Sequence, residues 1–406
     1  MYVGIDVSSK SLEACFMDQD GNTIESTSVS NNPDGANLLK EKILKLTSGK
    51  ANCKVLIGME STSVYSWHPA VFFNEDRELK EVNTSVYVIN AKLIKNFKKA
   101  YPDINKDDLT DAWVIADRLR FGRVPKTIIA SEQYLALQRL TRMRFRVVKM
   151  LIKEKQYFLQ NLFLKCNAFS SEVDSSAFGK AMMDLFSEKY SLEDIASMDT
   201  SELADYLKVK GKNRFQNPEE VAKCIQKAAR SSYRLSKCVE DSLDILLATS
   251  IECIRNYDKQ IKELDKSIEK VIAGIPNTLE TIPGIGPVLT AGILAEIGDI
   301  NRFDNQASLA KYAGLTWDKH QSGDFEADET KLKRTGNRYL RYYLIEAANS
   351  VKNREPEFKE YYRKKYAEVS KHNHKRALVL TARKLVRLVD ALLRKDQIYT
   401  PERKVE

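Results

Sequence analysis

Asp108 and Asp111 stand three residues apart in Lys106-Asp107-Asp108-Leu109-Thr110-Asp111-Ala112, a loop that runs into a helix continuing to Leu119. Asp108 reads as the N-cap, and the spacing puts both carboxylates on one face of the first turn. Alone, such a pair is explained by capping and by the helix dipole. Two upstream segments change its meaning. Met1-Tyr-Val-Gly-Ile-Asp6-Val and Lys54-Val-Leu-Ile-Gly-Met-Glu60 both read as apolar strands ending in an acid. A charge at the end of a buried strand is costly unless something pairs with it or binds it. Asp6, Glu60, Asp108 and Asp111 therefore make an all-oxygen ligand set suited to Mg²⁺ or Mn²⁺. Two such ions support in-line displacement at phosphorus.

A second constellation lies near the other end. Tyr312-Ala-Gly-Leu-Thr-Trp317-Asp-Lys-His320-Gln-Ser322-Gly323 reads as a loop between helices, followed by the basic run Lys331-Leu-Lys333-Arg334-Thr-Gly-Asn337-Arg338-Tyr-Leu-Arg341. Most loop serines only form turns, and His320 is too near in sequence to face Ser322. Arginine forks hold phosphate bidentately, however, so Ser322 beside Arg334, Arg338 and Arg341 has the makings of a nucleophile with transition-state stabilisers. Upstream, Ile282-Pro-Gly284-Ile-Gly286-Pro-Val-Leu-Thr-Ala-Gly292 carries a helix-hairpin-helix signature. Its glycines permit a tight turn, and the amides of the following helix face a phosphate. A ligand-free turn explains the same residues.

The elements that must position these groups fall into three regions. Residues 1–130 read as β-β-β-α-β-α-β-α, with strands Tyr2–Val7, Leu12–Met17 and Thr23–Val29. A helix starts at Asn32-Pro33-Asp34, and the Glu60 strand follows. After it come a helix near Tyr65–Phe73, a strand Ser85–Asn90 and a basic helix Ala91–Tyr101. Three antiparallel strands followed by βαβ crossovers is a ribonuclease-H-like arrangement, in which strands one and four are neighbours and Asp6 meets Glu60. Residues 131–275 carry long helices at 131–166 and 232–272, with short capped helices between them, such as those at Ser191-Leu-Glu-Asp and Thr200-Ser-Glu-Leu. Leu243, Leu247, Ser250, Ile254, Tyr257, Ile261, Leu264, Ile268 and Val271 repeat at alternating three-and-four spacing, a coiled-coil seam. It serves an antiparallel hairpin with 131–166 or a dimer arm, and both readings stand. Residues 276–406 form a helical C-terminal domain that closes with helices at 356–370 and 374–395. The fold class is α/β plus all-α.

Length and composition set the bounds. The 406 residues give room for two or three domains. No apolar run approaches the roughly 20 residues of a membrane span. The chain opens in a strand with no signal peptide, and six scattered cysteines lack any Cys-x-x-Cys pair. Both features suggest a reducing cytoplasm and argue against structural zinc. Residues 331–406 hold 21 Lys and Arg against 9 Asp and Glu, a net of +12 where the whole chain is +9. Aromatics interleave with that charge, which favours a nucleic-acid partner over a solvated surface.

The ordered motifs resemble the DEDD-type transposases of bacterial insertion sequences, in the family numbered one hundred and ten. The matching residues are Gly4-Ile-Asp6-Val, the Glu60 strand and Asp108-Leu-Thr-Asp111-Ala at one end. At the other are Pro283-Gly-Ile-Gly286, Ala313-Gly-Leu315, Gln321-Ser322-Gly323 and Gly336-Asn337-Arg338-x-Leu340-Arg341. Where the family often has proline in the serine loop, this chain has Trp317. The resemblance implies a RuvC-like N-terminal domain, a coiled coil and a helical transposase domain. It implies Ser322 as nucleophile in a composite site with the four acids and a divalent metal. It also implies a structured non-coding bridge RNA as guide, double-stranded DNA of the element ends and target as substrate, and a homo-oligomer that is a dimer or a dimer of dimers. The nucleic-acid-binding set is Lys331, Lys333, Arg334, Asn337, Arg338, Arg341, Gly284 and Gly286. The competing reading is a RuvC-like nuclease or junction resolvase that uses the same acids with water as nucleophile.

Overall fold

A computed structural model describes residues 1–49, 53–61, 64–101, 107–124, 131–188, 190–317, 321–322, 325–326, 332 and 335–401. The chain divides into two compact units, Met1–Tyr134 with Ile297–Leu309, and Leu135–Glu296 with Ala310–Glu406. The regions 131–275 and 276–406 of the sequence reading thus fall largely within one unit.

The first unit is built on a mixed five-stranded sheet. Strands β1 (Tyr2–Val7), β2 (Ser11–Met17) and β3 (Thr23–Ser30) run antiparallel. Helix α1 (Pro33–Thr47), capped by Asn32, leads to β4 (Val55–Glu60), which pairs parallel to β1. Helices α2 (Trp67–Glu75) and α3 (Arg77–Glu81) precede β5 (Thr84–Ile89), then α4 (Ala91–Lys98) and α5 (Asp108–Phe121). The strand order is β3-β2-β1-β4-β5, so strands one and four are neighbours as expected.

The pleat sorts the residues of these strands onto two faces. Val3, Ile5, Val55, Ile57 and Met59 turn to one side and pack with Leu39 and Ile43 of α1 and Phe73 of α2. Each such side chain contributes about 1.5–3 kcal/mol by leaving water. Gly4 and Asp6 on β1, and Gly58 and Glu60 on β4, occupy the alternate positions. That is the face α5 covers. Asp107, not Asp108, caps α5, because its carboxylate accepts the Thr110 amide at 2.6 Å. The cap lies one residue earlier than the sequence suggests, and Asp108 is the first residue of the helix proper. Likewise Asp199, not Thr200, caps the helix that follows it.

In the second unit, α6 (Glu132–Lys165) and α12 (Lys237–Ile272) run antiparallel. Arg144 is ion-paired to Asp265 at one end and Lys165 to Asp244 at the other, so numbers rise along one helix as they fall along its partner. Lys165 is buried and also donates to the Tyr190 carbonyl at 2.7 Å. Of the heptad positions, Leu243, Leu247, Ser250, Ile254 and Ile268 are buried, while Tyr257, Ile261, Leu264 and Val271 are half-buried. The antiparallel hairpin within the chain is thus present.

Between the two long helices come α7 (Phe169–Glu172), α8 (Lys180–Ser187), α9 (Leu192–Ser197), α10 (Thr200–Lys210) and α11 (Pro218–Ser231). They share one core with Phe158, Leu162, Leu247 and Ile251 of the hairpin. The remaining elements are α13 (Pro287–Ile297), α14 (Gln306–Ala313), β6 (Gln321–Ser322), β7 (Phe325–Glu326), α15 (Arg338–Val351), α16 (Pro356–Ala367) and α17 (Asn373–Lys395). Tyr343 of α15 is fully buried and donates to the Thr141 carbonyl of α6 at 2.6 Å. A Cβ on Gly292 of α13 would lie 2.3 Å from its ring, so only glycine admits that tyrosine.

Candidate active site

Gly4 and Gly58 are register partners on β1 and β4. A Cβ on Gly4 would lie 2.1 Å from the Ala112 carbonyl and 2.3 Å from the Ala116 amide, and one on Gly58 would lie 2.7 Å from the Leu119 side chain. The bare backbones form a seat on which α5 rests close to the sheet. Ala112 and Ala116, both fully buried, are the small residues of the helix at that contact. Because α5 runs antiparallel to β1, its first turn comes over the strand ends, where Asp6 and Glu60 stand two residues beyond the glycines.

The electrostatics record the meeting. Desolvation and then the nearby Asp111 push the Asp6 carboxyl above its usual range, with Asp108 and Glu13 adding to the shift. Desolvation, then Asp6 and Asp111, push Glu60 the same way, and Lys98 opposes them. All four acids thus enter one field, from two strands and one helix. Two further groups join them. Glu13 stands opposite Asp6 in the β1–β2 register, and Lys98 of α4 is ion-paired to Asp111. Sequence reasoning missed both. The hairpin register gives Glu13 away once Asp6 is singled out, and Lys98 was visible only as one of several lysines on a basic helix.

The donors are all carboxylate oxygens, and their pKa values are raised by burial and mutual repulsion, which a divalent cation would relieve. In that chemical sense the set fits such an ion. Among the described residues, however, no three Asp, Glu, His or Cys side chains converge closely enough to grip one. Lys98 serves as the counter-charge of Asp111.

Ser322 lies in the second unit. The segment read as a loop contains an antiparallel ribbon in which Gln321 pairs with Glu326 and Ser322 with Phe325, and Trp317 bridges Leu332 in the same sense. Ser322 is the last paired residue before positions 323 and 324. The ribbon's two ends are pinned together. Gly336, at φ +112°, comes so close that a Cβ would lie 2.6 Å from the Tyr312 carbonyl, and the Asn337 amide donates to that carbonyl at 2.6 Å. Lys331, Lys333, Arg334 and His320 lie outside the described residues.

Arg338 and Arg341 begin α15, directly after this junction. Arg338 is exposed, donates to the Tyr339 hydroxyl at 2.8 Å and lies over that ring, and Arg341 donates to the Ala313 carbonyl. Asn337 is engaged within the chain. Its side-chain Oδ1 caps α15 by accepting the Tyr339 and Leu340 amides, and its side-chain Nδ2 donates to Glu296 at 2.6 Å and to the Tyr312 hydroxyl at 3.1 Å. Glu296 is fully buried and takes a bidentate fork from Arg142, at 2.7 and 2.9 Å. This network ties α6, α13 and α14 to the start of α15. A lone acid in the apolar run Ile293-Leu-Ala-Glu296-Ile297 was the signal for it. In the glycine motif, Gly284 takes φ +102° and abuts the Ser350 backbone, while Gly286 faces open space. A single 3₁₀ turn, Leu279–Thr281, precedes that loop where the signature suggests an α-helix.

The two constellations coincide with known transposase domains. Residues 3–165 match the transposase domain of the DEDD type named for IS110, and residues 277–363 match the domain described as transposase, IS116/IS110/IS902 family. The chain is 26% identical over 417 aligned positions to the insertion element IS116 uncharacterized 44.8 kDa protein of Streptomyces clavuligerus, covering 99% of this chain and 96% of that one. It is 30% identical over 153 residues to the pilin gene-inverting protein of Moraxella bovis, covering 36% of this chain and 47% of that one. It is 29% identical over 152 residues to the transposase for insertion sequence element IS1111A of Coxiella burnetii, covering 36% and 39%. No helix among the described residues is long and apolar enough to cross a membrane. With an acid-bearing sheet domain and a serine-bearing helical domain matched in order, the chain belongs to the IS110/IS116/IS902 family of insertion-sequence transposases, enzymes that cleave and rejoin DNA.

Proposed function

We propose that this transposase works through a RuvC-like site in which Asp6, Glu60, Asp108 and Asp111 hold divalent metal, Mg²⁺ or Mn²⁺, and that Ser322 is its nucleophile. The observation that carries the reading is the coupling of Asp6, Glu60 and Asp111 across β1, β4 and α5. Such crowding is unfavourable unless a cation is to be held there. Bound metal would neutralise charge on the phosphoryl oxygens and stabilise the attacking and leaving oxygens. The Ser322 hydroxyl forms the new bond to phosphorus as the bond to the departing deoxyribose oxygen breaks. The proton given up by the serine passes through solvent to that oxygen. Arg338 and Arg341 hold the phosphate near the ribbon.

The proposal extends to partners. Double-stranded DNA from the element ends and the target is the substrate, and a structured bridge RNA selects the sequence by base pairing, leaving the protein to read backbone and shape. The active form is a homo-oligomer, so the serine of one subunit can serve the acids of another.

The test is strand cleavage by purified protein with Mg²⁺, RNA and labelled DNA. EDTA and Asp111→Ala should each abolish it while leaving the circular dichroism spectrum unchanged. Cleavage at the wild-type rate by Asp111→Ala would overturn the carboxylate assignment.

A further inference from the structure

The long helix α6 carries seven Lys and Arg between residues 139 and 155 and a single acid, Glu154. Four of the cations, Arg139, Arg146, Lys149 and Lys153, are exposed and fall at i, i+7, i+10 and i+14. At 100° per residue that spacing confines them to an arc of about 80° and strings them over about 21 Å of helix. Arg142 shares the arc but is committed to Glu296, and Arg144 points elsewhere, to Asp265. No carboxylate among the described residues lies within ion-pair distance of the four. Within this row every polar position is Lys or Arg. Aromatic rings support the cations: Lys149 stands 5.5 Å from the Phe145 ring centre and 5.7 Å from that of Tyr342, and Lys153 stands 5.5 Å from that of Tyr157. The row also adjoins the start of α15. Arg142 lies over Tyr339 at 4.7 Å, and Arg338 lies over that same ring at 4.8 Å. The acids around the row are Glu154 on α6, Glu296, which is taken by Arg142, and Glu346 of α15, which acts on Tyr342.

A row of like charges along one rigid helix is self-repulsive and is kept at a cost unless an anion of matching length neutralises it. We propose that this face of α6, continued by Arg338, is a docking track for the phosphate backbone of duplex DNA. A rod of about 21 Å spans roughly six base-pair rises, and cations without base-reading partners fix position along the backbone and carry no sequence information. The four α6 cations lie outside both constellations of the candidate active site, and Arg338 is where their row meets the serine-bearing one, so the row supplies grip to a chemistry performed elsewhere. Its choice of DNA rests on the DNA-processing reading above.

The experiment measures binding of the full-length protein to a random-sequence 30-base-pair DNA duplex by fluorescence anisotropy in EDTA, from 50 to 250 mM NaCl. The quadruple variant Arg139→Gln, Arg146→Gln, Lys149→Gln, Lys153→Gln should lower the salt slope by roughly 3–4, at about 0.9 per lost phosphate contact, and weaken binding at least about tenfold at 100 mM salt. A control with equal charge loss on the other long helix, Lys259→Gln, Lys262→Gln, Lys266→Gln, Lys270→Gln, should keep the wild-type slope. If the quadruple variant fails to fold, Arg146→Gln alone should lower the slope by about one. An unchanged slope, an equal fall in both quadruple variants, or a fall seen only with an RNA duplex of the same length would overturn the proposal. The two readings fail separately. Loss of slope in a protein that never cleaves DNA would leave the track standing, and normal cleavage with an inert row would remove the track alone.

Discussion

The Lys98 ammonium is ion-paired to the Asp111 carboxylate, so a side chain of α4 occupies an oxygen that the proposed metal needs. The same ammonium holds the Glu60 carboxyl down against the two acids that push it up. Lys98 is thus a cation competing for the same field. Removing it as Lys98→Met should tighten divalent binding to the DNA-free protein by roughly three- to tenfold, the effect of one unit charge a few ångströms away in a watery site. Titration of Mn²⁺ by electron paramagnetic resonance, with Lys95→Met as the exposed control, measures it. Weaker Mn²⁺ binding by Lys98→Met would show that the lysine supports the ion and does not compete with it.

The raised Asp6 carboxyl makes a stability prediction with a definite sign. A carboxyl whose folded pKa exceeds its unfolded value favours the fold while protonated, and that contribution disappears as pH rises through the raised value. Above it, ionised Asp6 burdens the fold through burial and through Asp111. Asp6→Asn should therefore melt higher than wild type at pH 7 in EDTA, by about 2–4 °C for each kcal/mol relieved. The difference should close as pH falls below 3.8, the ordinary aspartate value. A gap that persists unchanged in acid would mean the asparagine stabilises by packing and not by removing charge.

The glycine seat predicts a loss of activity through geometry. Gly4→Ala places a methyl group inside contact distance of the α5 backbone at Ala112 and Ala116, where no flexible side chain can yield. Overpacking of this kind costs about 1–3 kcal/mol or more. The first turn of α5 must lift, taking Asp108 and Asp111 from Asp6. Cleavage should fall by at least about a hundredfold, since a 1 Å misplacement has that effect. Denaturant unfolding and a cleavage assay on one preparation separate the two losses. Wild-type cleavage by Gly4→Ala would mean that the carboxylates do not depend on this contact.

How much of this was legible beforehand follows from where the determining contacts lie. The apolar runs Tyr2–Val7 and Val55–Glu60 and the acids they carry are local, so both strands could be read directly, and the adjacency of β1 and β4 followed from the order of the elements. The cap of α5 was misplaced by one because Asp107 and Asp108 are equally good caps by composition, and only the Thr110 amide chooses between them. The ribbon carrying Ser322 was read as a loop because each strand is two residues long and has no alternation to detect. Lys98, Glu13 and Glu296 were missed for a common reason: each matters through a partner far away in sequence or on another element, and pattern alone assigns no partner to a charged residue.

The most direct test of the account asks whether DNA becomes attached to Ser322. Attack by a serine hydroxyl leaves a phosphoserine bond that keeps the energy of the broken phosphodiester, whereas a nuclease using water never forms one. Protein, Mg²⁺, RNA and end-labelled DNA are incubated, denatured and separated, and label migrating with protein is quantified. The account predicts an adduct from wild type that is lost in Ser322→Ala, and also in Asp111→Ala if the acids and the serine form one composite site. Full strand cleavage by Ser322→Ala, with no adduct from wild type, would contradict the serine mechanism and leave the acids acting alone with water.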